Sequence, residues 1–343
     1  MSGVRARVDP LLGARVVGRT ALRYAHGPDR ALDRPAHVRA GSALVRLGAR
    51  CLAVVQDDAS FIAILDGVGD PETGVVIHDV PLPAVDGIRL FDETRGNKRL
   101  KLDLEAALVV DDGKLLVALG SGSTHARERI VLVEEPSSED PRVTVVEARA
   151  LYAALRENAE LAGSELNVEG AAIAGEDVLI FQRGNGATVG ARLPVDATAR
   201  IDRRALIAYL RSLACDPAHA RPCPPVREVT QWDLGAIEGT RLTFTDGVAH
   251  GRWTGFLACA EASPDATRDG PVSGVAIGRL DDRAPIAELG AITDEQGAPL
   301  TDKAEGITFD DTDPRRAWLV IDRDDPAAPA DLLELRLGAG WTQ

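Results

Sequence analysis

The chain has little of what builds disulfide frameworks, thiolate metal centres or membrane spans. Its 343 residues include four cysteines, one methionine and 4% aromatics. Cys51 and Cys259 lie inside apolar runs and read as inert core thiols. Cys215 and Cys223 bracket a short loop but lack the CxxC spacing of a zinc site, and two free thiols are expected. The six histidines form no HxH or HExxH pattern, which argues against a histidine-rich metal centre. No apolar run reaches the length of a membrane span. Met1–Pro10 lacks the apolar core of a secretory signal, so a cytoplasmic location is expected. Positive charge is also short. With Lys+Arg 39 against Asp+Glu 53, the net charge is −14, which argues against nucleic acid or an anionic membrane as partner.

What the chain does have is a repeat. Leu102–Leu108, Leu166–Ile173, Leu234–Gly239 and Asp302–Ile307 carry related motifs, and their glutamates Glu105, Glu169, Glu238 and Glu305 are 64, 69 and 67 residues apart. A degenerate copy without the carboxylate, Arg39–Leu44, precedes them. Each motif is followed by strand-length apolar runs separated by turn residues. Leu52–Val55, Leu115–Leu119, Val178–Phe181, Phe256–Cys259 and Trp318–Ile321 occupy equivalent second-strand positions. Helices are expected at Ala148–Leu161 and Asp202–Leu213.

Four strands per unit arranged radially form a β-propeller blade. The expectation is therefore an all-β protein: a single domain over residues 1–343, built as one propeller with five four-stranded blades. The last unit is one strand short, so Ala14–Ala25 is expected to supply its outer strand and close the ring. Six blades is the alternative, with Ser273–Ile277 starting another blade. Two separate domains are disfavoured.

In such a blade, the start of the first strand and the end of the second lie on the same face. The glutamates would then ring one mouth of the central channel, beside Gln56–Asp58, Gly120–Ser123, Gln182–Asn185, Glu261–Ser263 and Asp322–Asp325. Carboxylates this crowded need a cation or basic neighbours to stay ionised. One solution is a hard divalent ion, calcium above all, held by Glu105, Asn167, Glu169, Glu238 and Glu305. The other is structural: each glutamate accepts backbone N–H groups of the next blade.

The basic residues are similarly two-sided. Lys101, Lys303, Arg183 and Arg323 either neutralise the acidic ring or grip an anionic substrate group. Gly120–His125 reads as a tight turn, with anion binding as the sharper alternative. Gly184–Gly190 has the wrong spacing for a dinucleotide loop.

The Glu-Gly pairs at Glu169, Glu238 and Glu305, with Asp103-Leu104-Glu105, Leu119–Ser123 and Gln182–Asn185, resemble an uncharacterised bacterial family of propellers. That family is similar in turn to the esterase-like phytase and SdiA-regulated groups. The resemblance implies calcium-assisted hydrolysis of a small phosphoester, lactone or other ester at the channel mouth. Asp57 or Asp322 would be the base, and Arg183 would orient an anionic group. Lys101, Ser121, Ser123, Asn185 and Arg323 complete the expected substrate contacts. The alternative is a non-catalytic propeller that binds a small ligand or partner protein, with the glutamates structural. A monomer is expected in either case.

Overall fold

The computed structural model describes residues 3–342 apart from 71, 73, 266, 267, 269, 282 and 283. Its architecture is mostly β and propeller-like. Sheet I comprises Gly41–Gly48, Cys51–Gln56, Phe61–Asp66 and Val76–Pro81. Sheet II comprises Leu104–Val110, Leu115–Gly120, Arg129–Glu134 and Arg142–Glu147. Sheet III comprises Val168–Ala174, Asp177–Gln182, Asp196–Asp202 and Arg227–Asp233, and sheet IV Thr243–His250, Trp253–Glu261, Val272–Asp281 and Ala287–Thr293. Sheet V comprises Lys303–Phe309, Arg316–Asp322 and Asp331–Leu337, with Ala14–Ala21 paired antiparallel to the last of these and, at Ala14 and Arg15, parallel to Ile292 and Thr293, which joins sheets IV and V. Two N-terminal fragments add parallel edges: Val4–Arg5 beside sheet III and Arg7–Val8 beside sheet IV.

Strands buried on both faces read as continuous apolar runs, because each face meets a different neighbour. Leu115–Gly120 shows this residue by residue. Leu115, Val117 and Leu119 pack into the core shared with sheet III, whereas Leu116 and Ala118 pack into the core shared with sheet I. Three more cores lie between sheets III and IV, IV and V, and V and I. Outer strands have one free face, so Arg142–Glu147 alternates exposed and covered residues.

The helices fall where expected, at α1 (Arg149–Glu157), α2 (Ala159–Ala162) and α3 (Arg203–Cys215). Asp202 caps α3 by accepting from the Ala205 N–H at 2.8 Å. Tyr152 of α1 and Leu206 and Leu210 of α3 fill the core between sheets II and III. Val272–Asp281 is the third strand of sheet IV, which places Ser273–Ile277 inside that sheet and not at the start of another. Among the described residues, no helix is long and apolar enough to cross a membrane.

The fourth repeat differs from the sequence reading. Ala236–Ile237 and Thr240–Arg241 form a small hairpin, and Glu238-Gly239 is its turn, with φ of 50° and 82°. Positive φ at both central residues is the geometry of a type I′ turn, and Glu-Gly suits it because glycine tolerates that region. The first strand of sheet IV starts at Thr243, so Glu238 is an exposed turn residue outside the repeat.

Candidate functional site

Each first strand loses register at one residue near its start: Ser42, Glu105, Glu169, Thr245 and Glu305. A bulge leaves that residue unpaired and re-aims its side chain. In sheets I and IV the re-aimed group is a hydroxyl that staples one sheet to the next. Ser42 Oγ donates to the Leu104 carbonyl at 2.5 Å, and Thr245 Oγ1 donates to the Ala304 carbonyl at 2.8 Å. In sheets II, III and V it is a carboxylate. All three carboxylates line one cavity of about 260 Å³.

The glycines after Glu169 and Glu305 permit this packing. A Cβ on Gly170 would lie 2.6 Å from Gly247 N, and one on Gly306 would lie 2.6 Å from Leu44 N. The Glu-Gly pairs of sheets III and V therefore set a close approach between neighbouring first strands.

Carboxylates outnumber cations around the cavity, and Lys101, Arg183 and Lys303 each serve more than one of them. Lys101 Nζ contacts Asp57 and lies 2.7 Å from Asp103 Oδ1. Arg127 Nη1 adds a contact to Asp103 Oδ2 at 2.8 Å, and Ser121 Oγ donates to the same oxygen. Arg183 is engaged through all three nitrogens: Nε donates to Thr243 at 3.2 Å, Nη1 to Glu169 at 3.4 Å, and Nη2 to Glu261. Lys303 Nζ lies 3.7 Å from Glu305, 3.6 Å from Asp322 and 3.0 Å from Asp324. Arg39 serves Asp58 and Asp92 in the same manner.

Several carboxylate oxygens are left over. Buried Asp57 Oδ1, Asp58 Oδ1 and Glu305 Oε2 have no hydrogen-bond partner among the described residues. Burial raises the Glu105 and Glu305 carboxyls well above the usual range, assisted by neighbouring carboxylates and opposed by Lys101 and Lys303 respectively. Burial likewise pushes Asp58, Glu169 and Asp322 up to about 7. Asp103 moves the other way, because Lys101 and Arg127 outweigh its burial and hold it below the ordinary value. Oxygens of Asp57, Asp103 and Glu105 lie within 4.8 Å of one another.

Of the residues expected to form the site, Asp57, Lys101, Glu105, Asn167, Glu169, Arg183, Asn185, Glu305 and Asp322 line the cavity. Asn167 Nδ2 donates to Glu169 at 2.6 Å and to Asn185 at 3.1 Å, so it orients that carboxylate. Ser121 and Ser123 stand behind the lining, hydrogen-bonded to each other at 2.9 Å and to Asp103 and Arg127. Glu238 is elsewhere. Arg323 turns away from the lining to pair with Asp331 and, at 3.6 Å, Asp302. Arg183 is committed to Glu169 and Glu261, which makes it a positioning group for those carboxylates. His125 is an exposed loop residue, and all four cysteines are free.

Asp103 and Arg127 belong to the site although the sequence reading did not single them out as functional groups, whereas Lys303, expected as a cation of the acidic ring, and Glu261, expected at its rim, are both found there. Asp103 and Lys303 each stand two residues before a bulged glutamate, a spacing visible in the repeat itself. Arg127 comes from a 3-10 turn at His125–Arg127, and no pattern announces it.

Among solved structures, the extracellular domain of a protein described as a hybrid two-component system from Bacteroides thetaiotaomicron is similar at 8% identity and TM-score 0.31. That similarity covers 88% of this chain and 27% of that one. A luciferin-regenerating enzyme is similar at 8% identity and TM-score 0.43, over 94% of this chain and 96% of its own. Streptogramin B lyase is similar at 10% identity and TM-score 0.36, over 94% and 98%. No curated protein matches the sequence. Residues 37–337 match a family described as a family of unknown function (DUF6929), and the chain belongs to that family.

Proposed function

We propose that this cavity is the mouth of a propeller channel and the active site of a cation-assisted hydrolase for a small phosphoester, lactone or other ester. The five sheets are read as five blades, with Ala14–Ala21 closing the ring as the outer strand of sheet V. Support for the ring comes from the cores, since every sheet shares one with each of two neighbours.

The observation that carries the functional reading is the set of leftover oxygens. Calcium binds oxygen at about 2.3–2.6 Å, so ligands on opposite sides of the ion are roughly 5 Å apart. Asp57, Asp103 and Glu105 fall within that span, and Asp57 Oδ1 is buried without a partner among the described residues. The donor set is all oxygen and suits a hard divalent ion. When bound, such an ion polarises an ester oxygen and acidifies a nearby water. The chain's own residues do the rest. Lys101 and Arg127 fix Asp103, while Asp322, pushed up to about 7, has the affinity of a general base working near neutrality.

Elemental analysis of protein purified without added metal, with melting curves in EDTA and then calcium, tests the reading. About one ion per chain and a reversible rise of several degrees supports it, followed by turnover on an ester panel. No ion and no shift overturns it. A non-catalytic propeller capturing a small ligand or partner protein is the second reading. It is favoured by the cations already paired with the carboxylates, since Lys101, Arg183 and Lys303 each bridge two or more and Arg127 holds Asp103.

A further inference from the structure

The geometry points to a substrate that carries an organic cation, an ammonium or guanidinium group, docked on Glu305 Oε2 in the cavity that Asp57, Asp103 and Glu105 also line. This inference rests on the reading of the channel mouth as the reactive site and narrows its substrate class.

Three observations combine. The first is a single unmet acceptor. The Glu305 side chain is only 6% exposed, lines the cavity, and leaves Oε2 without a partner among the described residues. A buried carboxylate oxygen with no donor is costly, and a ligand N–H relieves that cost. The second is the sign of the surrounding charge. Glu305 and Asp322 share Lys303 with Asp324, and Glu169 and Glu261 share Arg183. In both groups carboxylates exceed cations, so the charge that completes them is positive.

The third is what the cations are doing. Lys98, Lys101, Arg127, Arg183, Arg268 and Lys303 line the cavity, and each is held by at least one carboxylate, Lys98 most loosely, by the exposed Glu93 at 3.8 Å. An anionic group entering the mouth would have to break one of these pairs, while an ammonium breaks none. A phosphoester is therefore the least suited of the esters considered above.

A metal ion at Glu305 fits less well. Hard divalent ions need six or more oxygen ligands, whereas Glu305 offers one free oxygen with Lys303 and Arg183 beside it. One acceptor matches one N–H donor. Charge-assisted hydrogen bonds of this kind are about twice as strong as neutral ones, so the nitrogen would anchor one end of the ligand. The ester end then reaches the Asp57 side, where water adds across the acyl C–O bond and releases the acid and the alcohol.

Three ethyl esters of matched length separate the cases: β-alanine ethyl ester is cationic, ethyl butyrate neutral and monoethyl succinate anionic. Calorimetric titration of the full chain in EDTA should give β-alanine ethyl ester at least about tenfold tighter binding than the other two. Glu305→Gln should reduce that preference to within about threefold while circular dichroism shows the fold retained. The wild-type series alone decides the matter should that variant not fold. Equal or tighter binding of ethyl butyrate or monoethyl succinate, or a preference unchanged in Glu305→Gln, overturns the inference. So does calcium binding with no affinity for any of the three, an outcome that leaves the hydrolase reading standing. The cationic preference without calcium binding or turnover upholds the docking of the cation and removes the hydrolase.

Discussion

Arg183, at the end of the second strand of sheet III, donates through Nη2 to Glu261 at the end of the second strand of sheet IV, and both side chains are buried. With 5% and 1% exposure, the pair has no solvent to fall back on. Nη1 of the same guanidinium reaches Glu169, so one cation holds two sheets and two carboxylates.

Removing that cation should be among the most destabilising single changes in the protein. Arg183→Met strands Glu169 and Glu261, and breaking a buried pair costs about 3–5 kcal/mol. Denaturant unfolding of the variant should show a loss in this range. Arg183→Lys should recover part of it, because an ammonium keeps the charge but cannot span both carboxylates and Thr243.

Glu105→Gln separates ion binding from stability. Glu105 accepts no hydrogen bond from a described side chain, and burial holds its carboxyl high, so losing the charge relieves the metal-free protein. The melting temperature in EDTA should stay level or rise, while calcium affinity falls at least about tenfold. Calcium titrations followed by calorimetry and by melting temperature check both halves.

Stability should depend on pH in an unusual direction. Asp58, Glu169 and Asp322 sit near 7 in the folded chain against about 4 when unfolded. Between those values the folded state binds more protons than the unfolded one, so stability falls as pH rises. Their contribution is complete below about 4 and is lost through about 7. Metal-free protein should therefore melt higher at pH 5.5 than at pH 8. Saturating calcium, which binds the ionised carboxylates, should flatten or invert the difference. Melting curves at the two pH values, with and without calcium, read this directly.

Gly306→Ala and Gly170→Ala test the close approach between first strands. Each new methyl would lie 2.6 Å from a backbone nitrogen of the adjacent sheet, so the strands must move apart. Overpacking of this kind costs about 1–3 kcal/mol. Because each glycine follows a bulged glutamate, calcium binding should weaken along with stability.

Glu238 supplies the contrast. Glu238→Gln should leave calcium binding unchanged and stability within about 0.5 kcal/mol, as for other exposed substitutions. A loss of calcium affinity in this variant would place the residue at the channel mouth after all.

Much of the strand pattern was legible because a strand covered on both faces has to be apolar throughout. Leu115–Leu119 and Trp318–Ile321 announce themselves for that reason, and both are second strands. The helices were legible from their apolar periodicity, and the structure adds Asp202 as the cap of the third. The Glu-Gly pair was a weaker guide, since it serves two unrelated ends. At Glu169 and Glu305 the glycine lets neighbouring strands touch; at Glu238 it closes a type I′ turn. Local sequence does not distinguish those uses, and the true counterpart of Glu105 in sheet IV is Thr245, a residue with no charge to draw the eye.

The sequence by itself determined the mostly-β class, the strand-rich repeat and the acidic residues that recur within it, because side-chain periodicity and turn chemistry act over a few residues. Only the tertiary structure decided which charges meet. Arg183 and Glu261 are 78 residues apart, and Lys101 and Asp57 are 44 apart. Their pairing is set by how whole sheets pack against one another. The same packing turned Arg323 toward Asp331, closed Arg183 around two carboxylates, and left Glu305 with one buried oxygen that has no partner among the described residues.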